Sequence, residues 1–118
     1  MDSLQYTVYQ GSTETPGHYG WHVDMFNGTA APRKLTLVVT LSDPDEYEGG
    51  DLEIMHSGTH ITQASKARGT VHAFPGWKLH RVTPVTKGTR RTLVAWIAGP
   101  EFREALLRPR FMTRLKTP

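Results

Sequence analysis

A chain of 118 residues and 13.2 kDa can bury one core but not a second, which gives a single domain over 1–118 with its core at about 4–100 and a tail at 101–118. The absence of cysteine excludes disulfides, thiolate zinc sites and a cysteine nucleophile. The net charge of +3 belongs to the tail, because residues 1–100 carry nine Lys/Arg against nine Asp/Glu while 101–118 carry five against two. A basic nucleic-acid surface over the core is thereby disfavoured.

In chain order, Leu4 to Tyr9 alternates as a strand and Gly11 to Gly17 is a polar, turn-rich loop. The stretch Tyr19 to Phe26 comes next, and as a strand it would put His22 and Asp24 on one face. Past the loop Asn27 to Pro32, the segment Lys34 to Ser42 sets Leu35, Leu37, Val39 and Leu41 on one face and Thr36, Val38 and Thr40 on the other, the clearest half-buried strand in the chain. Asp43 to Gly50 reads as a long turn, with short extended segments expected at Asp51–His56, His60–Gln63 and Thr70–Phe74. Leu79–Val85 and Arg90–Ala98 read as two strands of a hairpin closed by Thr86-Lys87-Gly88-Thr89. Glu101 to Arg108 has the acids-first, Arg-last pattern of a short helix. About eight strands and almost no helix indicate an all-β fold, and a cupin-like double-stranded β-helix (jelly roll) with a short C-terminal helix fits that count. Met1-Asp2-Ser3 has no basic region leading into an apolar run, and no stretch reaches membrane-spanning length, so a soluble, cytoplasmic protein is expected.

The chemistry centres on His22, Asp24 and His80. Two histidines and one carboxylate form a facial triad that holds Fe(II) and leaves open positions for a chelating cosubstrate and oxygen. The His-x-Asp pair alone is equally a surface histidine beside a solvated aspartate; the residues beyond His80 strengthen it. Arg90 and Thr92 share a strand face across the expected hairpin, and a guanidinium with a hydroxyl two positions on makes a carboxylate site. That suits 2-oxoglutarate, with its 2-oxo acid end on the metal, its far carboxylate on Arg90, and Trp96 walling the space between. Arg91 should point outward. Tyr9 and Tyr19 flank the ligand strand as candidate hydroxyl donors, although half-buried core tyrosines would look the same. His56 and His60 bracket a turn, but no third ligand accompanies them, and His18 and His72 remain unassigned.

The ordered stretches Tyr19-Gly20-Trp21-His22-Val23-Asp24-Met25-Phe26, Arg33-Lys34-Leu35-Thr36-Leu37, Leu41-Ser42-Asp43-Pro44, Tyr47-Glu48-Gly49-Gly50-Asp51-Leu52, Arg68-Gly69, Phe74-Pro75, His80-Arg81-Val82-Thr83-Pro84-Val85 and Gly88-Thr89-Arg90-Arg91 span most of residues 6–103. Together they resemble the Fe(II)/2-oxoglutarate-dependent dioxygenases, in the prolyl 4-hydroxylase-like branch with its bacterial PKHD-type hydroxylases. The resemblance implies iron at His22, Asp24 and His80, and 2-oxoglutarate held by Arg90 with Thr92, Tyr9 and Trp96. It also implies hydroxylation of an aliphatic C–H bond, in a prolyl residue or a small molecule, with release of succinate and carbon dioxide; ascorbate is an admissible accessory reductant. Oxidative demethylation of nucleic acid and a catalytically silent cupin-like binding module are the rival readings. Family members carry helices ahead of the core, and almost nothing here precedes Leu4. A sheet face would then be bare, so a homo-oligomer, a minimal variant or a truncated chain is expected. Tyr19, Trp21, the loop Asn27–Pro32 and the turn Asp43–Gly50 are candidates to line the substrate entrance.

Overall fold

The computed structural model describes residues 3–25 and 32–99. The helix expected at 101–108, the basic tail and loop residues 27–31 lie outside the described residues. Among the described residues eight strands run in chain order: β1 (Ser3–Gln10), β2 (Gly17–His22), β3 (Arg33–Thr40), β4 (Tyr47–Gly49), β5 (Leu52–Ser57), β6 (His60–Gln63), β7 (Val71–Pro75) and β8 (Leu79–Ala98). All pairings among them are antiparallel. No helix among the described residues is long and apolar enough to cross a membrane.

β8 organises the curled eight-stranded sheet. Its C-terminal half pairs with β1 and β3, and β3 in turn pairs with β7. Its N-terminal half pairs with β2, β4 and β5, and β5 continues to β6. The expected hairpin is therefore corrected: residues 79–98 form one strand of 20 residues that passes from one wall of the fold to the other. Gly88 does adopt positive φ, at 77°, but its turn chemistry serves as a kink within the extended run. β4 pairs there, Tyr47 opposite Gly88, and a Cβ on Gly88 would collide with the Glu46 carbonyl. Close backbone approach is thus the second reason for glycine.

Two further expectations change. The turn 43–50 contains a 3₁₀ turn at Pro44–Glu46 and then β4. On β3 the buried face is Thr36, Val38 and Thr40, while Leu35, Leu37 and Val39 are only half-buried. The alternation is as read; the polar-looking face turns inward, where Thr36 and Val38 line a cavity and the Thr36 hydroxyl finds a buried acceptor in Asp24.

The core comprises Val38, Leu52, Phe74 and Val82, with Tyr9, Ile54, Ala64 and Val94 packed against it. On the opposite face of the β1–β8–β3 wall, Leu4, Tyr6, Val8 and Ile97 are exposed. Register places Tyr6 beside Leu93 and Leu93 beside Val39, and Leu4 beside Ala95 and Ala95 beside Leu37, so the apolar positions form contiguous rows.

Candidate active site

The site begins at a cross-strand pair. His22, the last residue of β2, stands in register with His80 on β8, their ring centroids 4.1 Å apart. Tyr19 lies against the outer side of His22 at 3.8 Å, and Phe74 meets His80 edge-on at 4.7 Å. Asp24 is not on the strand, as expected from the sequence, but on a bend just past its end. The Gly76 carbonyl accepts the amides of both Asp24 (2.9 Å) and Met25 (3.0 Å), which ends regular extension and turns the carboxylate toward the histidines.

Each imidazole is oriented from behind. Nδ1–H of His22 donates to the Gly20 carbonyl (2.7 Å) and Nδ1–H of His80 to the Lys78 carbonyl (2.9 Å), leaving both Nε2 atoms facing Asp24. Nε2 of His22 is 3.3 Å from Oδ1 and Nε2 of His80 is 3.3 Å from Oδ2. One ligand atom from each of the three residues lies within 4.8 Å of the others, the only such group among the described residues. Two nitrogen lone pairs and a carboxylate converging on one point repel unless a cation or added protons reconcile them. The donor set therefore fits a divalent metal such as Fe(II). Burial alone would raise the Asp24 carboxyl; hydrogen bonds from His22 and His80, the His80 charge and the Trp96 N–H overcome it and hold the group well below the ordinary carboxylate range. For His22, burial pulls downward, but the Asp24 carboxylate and the Gly20 carbonyl outweigh it and raise the imidazole.

Asp24 and His80 are buried, and all three residues open into a cavity of about 440 Å³. Arg90, only 4% exposed, lines the same cavity with Thr92, Val94 and Trp96 from the inner face of β8, and Tyr9 enters from β1. The Arg90 guanidinium lies 5.3 Å from the centre of the Tyr9 ring. Burial lowers the Arg90 pKa against opposing contributions from Tyr47, Tyr9 and Asp51; an arginine nevertheless keeps its charge. Gly50, at φ 63°, makes room for it, since a Cβ there would sit 2.9 Å from Arg90 Cδ. Burial, opposed by Arg90, pushes the Tyr9 phenol up, so it stays a protonated donor.

Of the other sequence candidates, Tyr19 lines the cavity at its exposed margin, while Trp21 and the turn 43–50 do not line it. Trp21 packs under Arg81 at 4.6 Å. Arg91 points outward, near Glu46 at 3.9 Å. The His56 and His60 rings lie 5.3 Å apart with no third ligand among the described residues, and His56 is engaged by Thr62 and Lys78. The sequence reading missed Thr36, Tyr47, Phe74 and Arg33. Thr36 sits on the inner face of β3, and the Arg33 guanidinium lies 3.7 Å over the Trp96 ring.

The family model described as 2OG-Fe(II) oxygenase superfamily matches residues 4–98. The chain belongs to this superfamily. Among curated relatives, a PKHD-type hydroxylase of Synechococcus sp. (strain CC9605) is 42% identical over 79 residues, covering 67% of this chain and 36% of the relative. A PKHD-type hydroxylase of Delftia acidovorans is 36% identical over 112 residues, covering 86% and 47%. The chain thus spans less than half the length of these relatives. Its fold is that of a Pseudomonas putida prolyl-4-hydroxylase, with TM-score 0.67, 21% identity and coverage of 80% of this chain and 51% of that one. A prolyl 4-hydroxylase from Phytophthora capsici gives TM-score 0.66 at 22% identity, covering 96% and 41%.

Proposed function

We propose that this chain is the core of an Fe(II)- and 2-oxoglutarate-dependent dioxygenase that hydroxylates an aliphatic C–H bond. The observation that carries the reading is that the His22–Asp24–His80 cluster and the buried Arg90 line one cavity. Superfamily membership supports the cofactor and cosubstrate. The PKHD-type hydroxylase and prolyl hydroxylase names of the relatives and structural neighbours support hydroxylation with a prolyl residue as the first substrate to test, a small molecule being the alternative.

In this reading His22, Asp24 and His80 hold the iron, which supplies oxygen-activating chemistry with 2-oxoglutarate as the two-electron donor. Substrate C–H, O₂ and 2-oxoglutarate become substrate C–OH, succinate and CO₂. Arg90 binds the cosubstrate's far carboxylate through charge-assisted hydrogen bonds, with the Thr92 and Tyr9 hydroxyls as further donors. Val38, Leu52, Val82 and Val94 on the cavity wall exclude water, which strengthens the Arg90–carboxylate attraction. Tyr19, exposed and lining the cavity beside His22, is the residue this reading assigns to substrate contact. Self-association through the apolar outer face of β1, β8 and β3 belongs to the same proposal, and sedimentation of the wild-type chain against Tyr6→Lys tests it.

The direct test of activity is succinate release from 2-oxoglutarate, in air with Fe(II) and without added substrate. Slow release abolished by Asp24→Ala supports the enzyme; none from metal-loaded protein that binds 2-oxoglutarate favours a silent binding module.

A further inference from the structure

The inner face of the β1–β8–β3–β7 wall carries one cross-strand row in which Phe74, Thr36 and Trp96 stand side by side: Thr36 is in register with Phe74 on β7 and with Trp96 on β8. The whole row is buried, with Thr36 at 1% exposure. Two of its members donate to the same atom. Thr36 Oγ1–H reaches Asp24 Oδ2 at 2.9 Å and Trp96 Nε1–H reaches that oxygen at 3.2 Å. The third, Phe74, packs edge-on against His80. The Arg33 guanidinium lies over the Trp96 ring at 3.7 Å.

A carboxylate oxygen has two lone-pair directions in its plane, and Oδ2 receives the two donors Thr36 and Trp96 from the sheet, with His80 Nε2 a third neighbour at 3.3 Å. No such pair engages Oδ1, which faces His22 Nε2. We propose that the Thr36–Trp96 pair makes Asp24 a one-oxygen metal ligand, occupying Oδ2 and presenting Oδ1. The inference rests on the reading of His22, Asp24 and His80 as the metal ligands and adds how the site keeps its vacancies. A carboxylate binding through both oxygens would fill one of the positions that a facial triad leaves for a chelating cosubstrate and oxygen. The row would prevent this from a rigid sheet, where orientation is most sharply defined. Thr36 and Trp96 are thus positioning residues, acting through Asp24.

The test uses the Mn(II)- and Fe(II)-loaded 118-residue chain, with Thr36→Val, which keeps the buried volume but removes the donor, and Thr36→Ser, which restores it. Titration gives metal affinity, and infrared difference spectra of ¹³C-Asp-labelled protein give the splitting of the Asp24 carboxylate stretches, wide for one-oxygen and narrow for two-oxygen ligation. The proposal expects Thr36→Val to bind metal about 10–100-fold more weakly, with the splitting narrowed, and Thr36→Ser to recover both. Trp96→Phe should narrow the splitting in the same direction. Wild-type affinity and splitting retained in Thr36→Val and Trp96→Phe would overturn the positioning role while leaving the metal site standing. Failure of folded wild-type protein to bind either metal would instead remove the site reading itself.

Discussion

His80 and Arg90 lie on one strand, on either side of the kink at Gly88, and both side chains line the same cavity. A single strand therefore couples the proposed metal end of the site to its carboxylate end. Their spacing is set by backbone rather than by the packing of two separate elements.

Arg90 and Arg91 provide an internal control because successive strand residues face opposite ways. Arg90→Ala is expected to weaken 2-oxoglutarate binding by about 2–5 kcal/mol, the cost of truncating one partner of a buried charge pair. Arg91→Ala, on the exposed side, is expected to change binding and stability by less than about 0.5 kcal/mol. Calorimetric titration of 2-oxoglutarate into Mn(II)-loaded protein checks both, and equal losses would contradict the strand-face assignment.

Asp24→Ala should remove metal binding and also lower the stability of the metal-free protein. The Thr36 hydroxyl and Trp96 N–H lose their buried acceptor, at about 1–3 kcal/mol for each donor left unsatisfied. Thermal melts with and without Mn(II) separate the effects. Wild type should gain about 2.7 kcal/mol when metal is at 100 times its Kd, and the variant nothing.

Gly50→Ala should damage the carboxylate end from a distance. The positive φ costs about 1–3 kcal/mol for a non-glycine residue, and the new methyl would press on Arg90 Cδ and Val85. The expected result is reduced stability with weaker 2-oxoglutarate binding, while metal affinity remains within about twofold of wild type. Chemical denaturation and the same titrations would show whether the two ends separate in this way.

The pH dependence has opposite signs with and without metal. In metal-free protein the His22 pKa is raised over its ordinary 6.5, Asp24 and the Gly20 carbonyl outweighing burial. Its stabilisation is therefore complete below the unfolded pKa and is lost as pH rises through the higher folded value. Metal displaces that proton, so the stabilisation added by Mn(II) should grow across the same window. Melts from about pH 6 to about pH 9 should diverge; parallel curves would contradict ligation by His22.

The convergence of His22, His80 and Arg90 was legible only in part. Arg90, Thr92 and Trp96 share a face at strand spacing. Local pattern, however, separates His80 from them by a hairpin that does not form, and β2 around His22 shows no alternation in burial. The limits of β5, β6 and β7 were within a residue of those expected, set by the punctuation at Ser57-Gly58 and Arg68-Gly69. What local pattern could not supply was register and tertiary pairing. Gly88 reads as a hairpin residue until β4 is known to pair there. The leucine face of β3 looks like the core face until the cavity claims Thr36 and Val38. Thr36 and Phe74 gain meaning only as cross-strand neighbours of Trp96 and one another, and Asp24 reaches His22 from a bend that the Gly76 carbonyl creates.

The most direct test of the central claim is anaerobic titration of Fe(II)-loaded protein with 2-oxoglutarate, monitored by the visible metal-to-ligand charge-transfer absorption that chelation of the 2-oxo acid produces. The account predicts a saturable band that is absent in Asp24→Ala and displaced to higher 2-oxoglutarate in Arg90→Ala. A folded, iron-loaded wild-type protein that develops no band would contradict it.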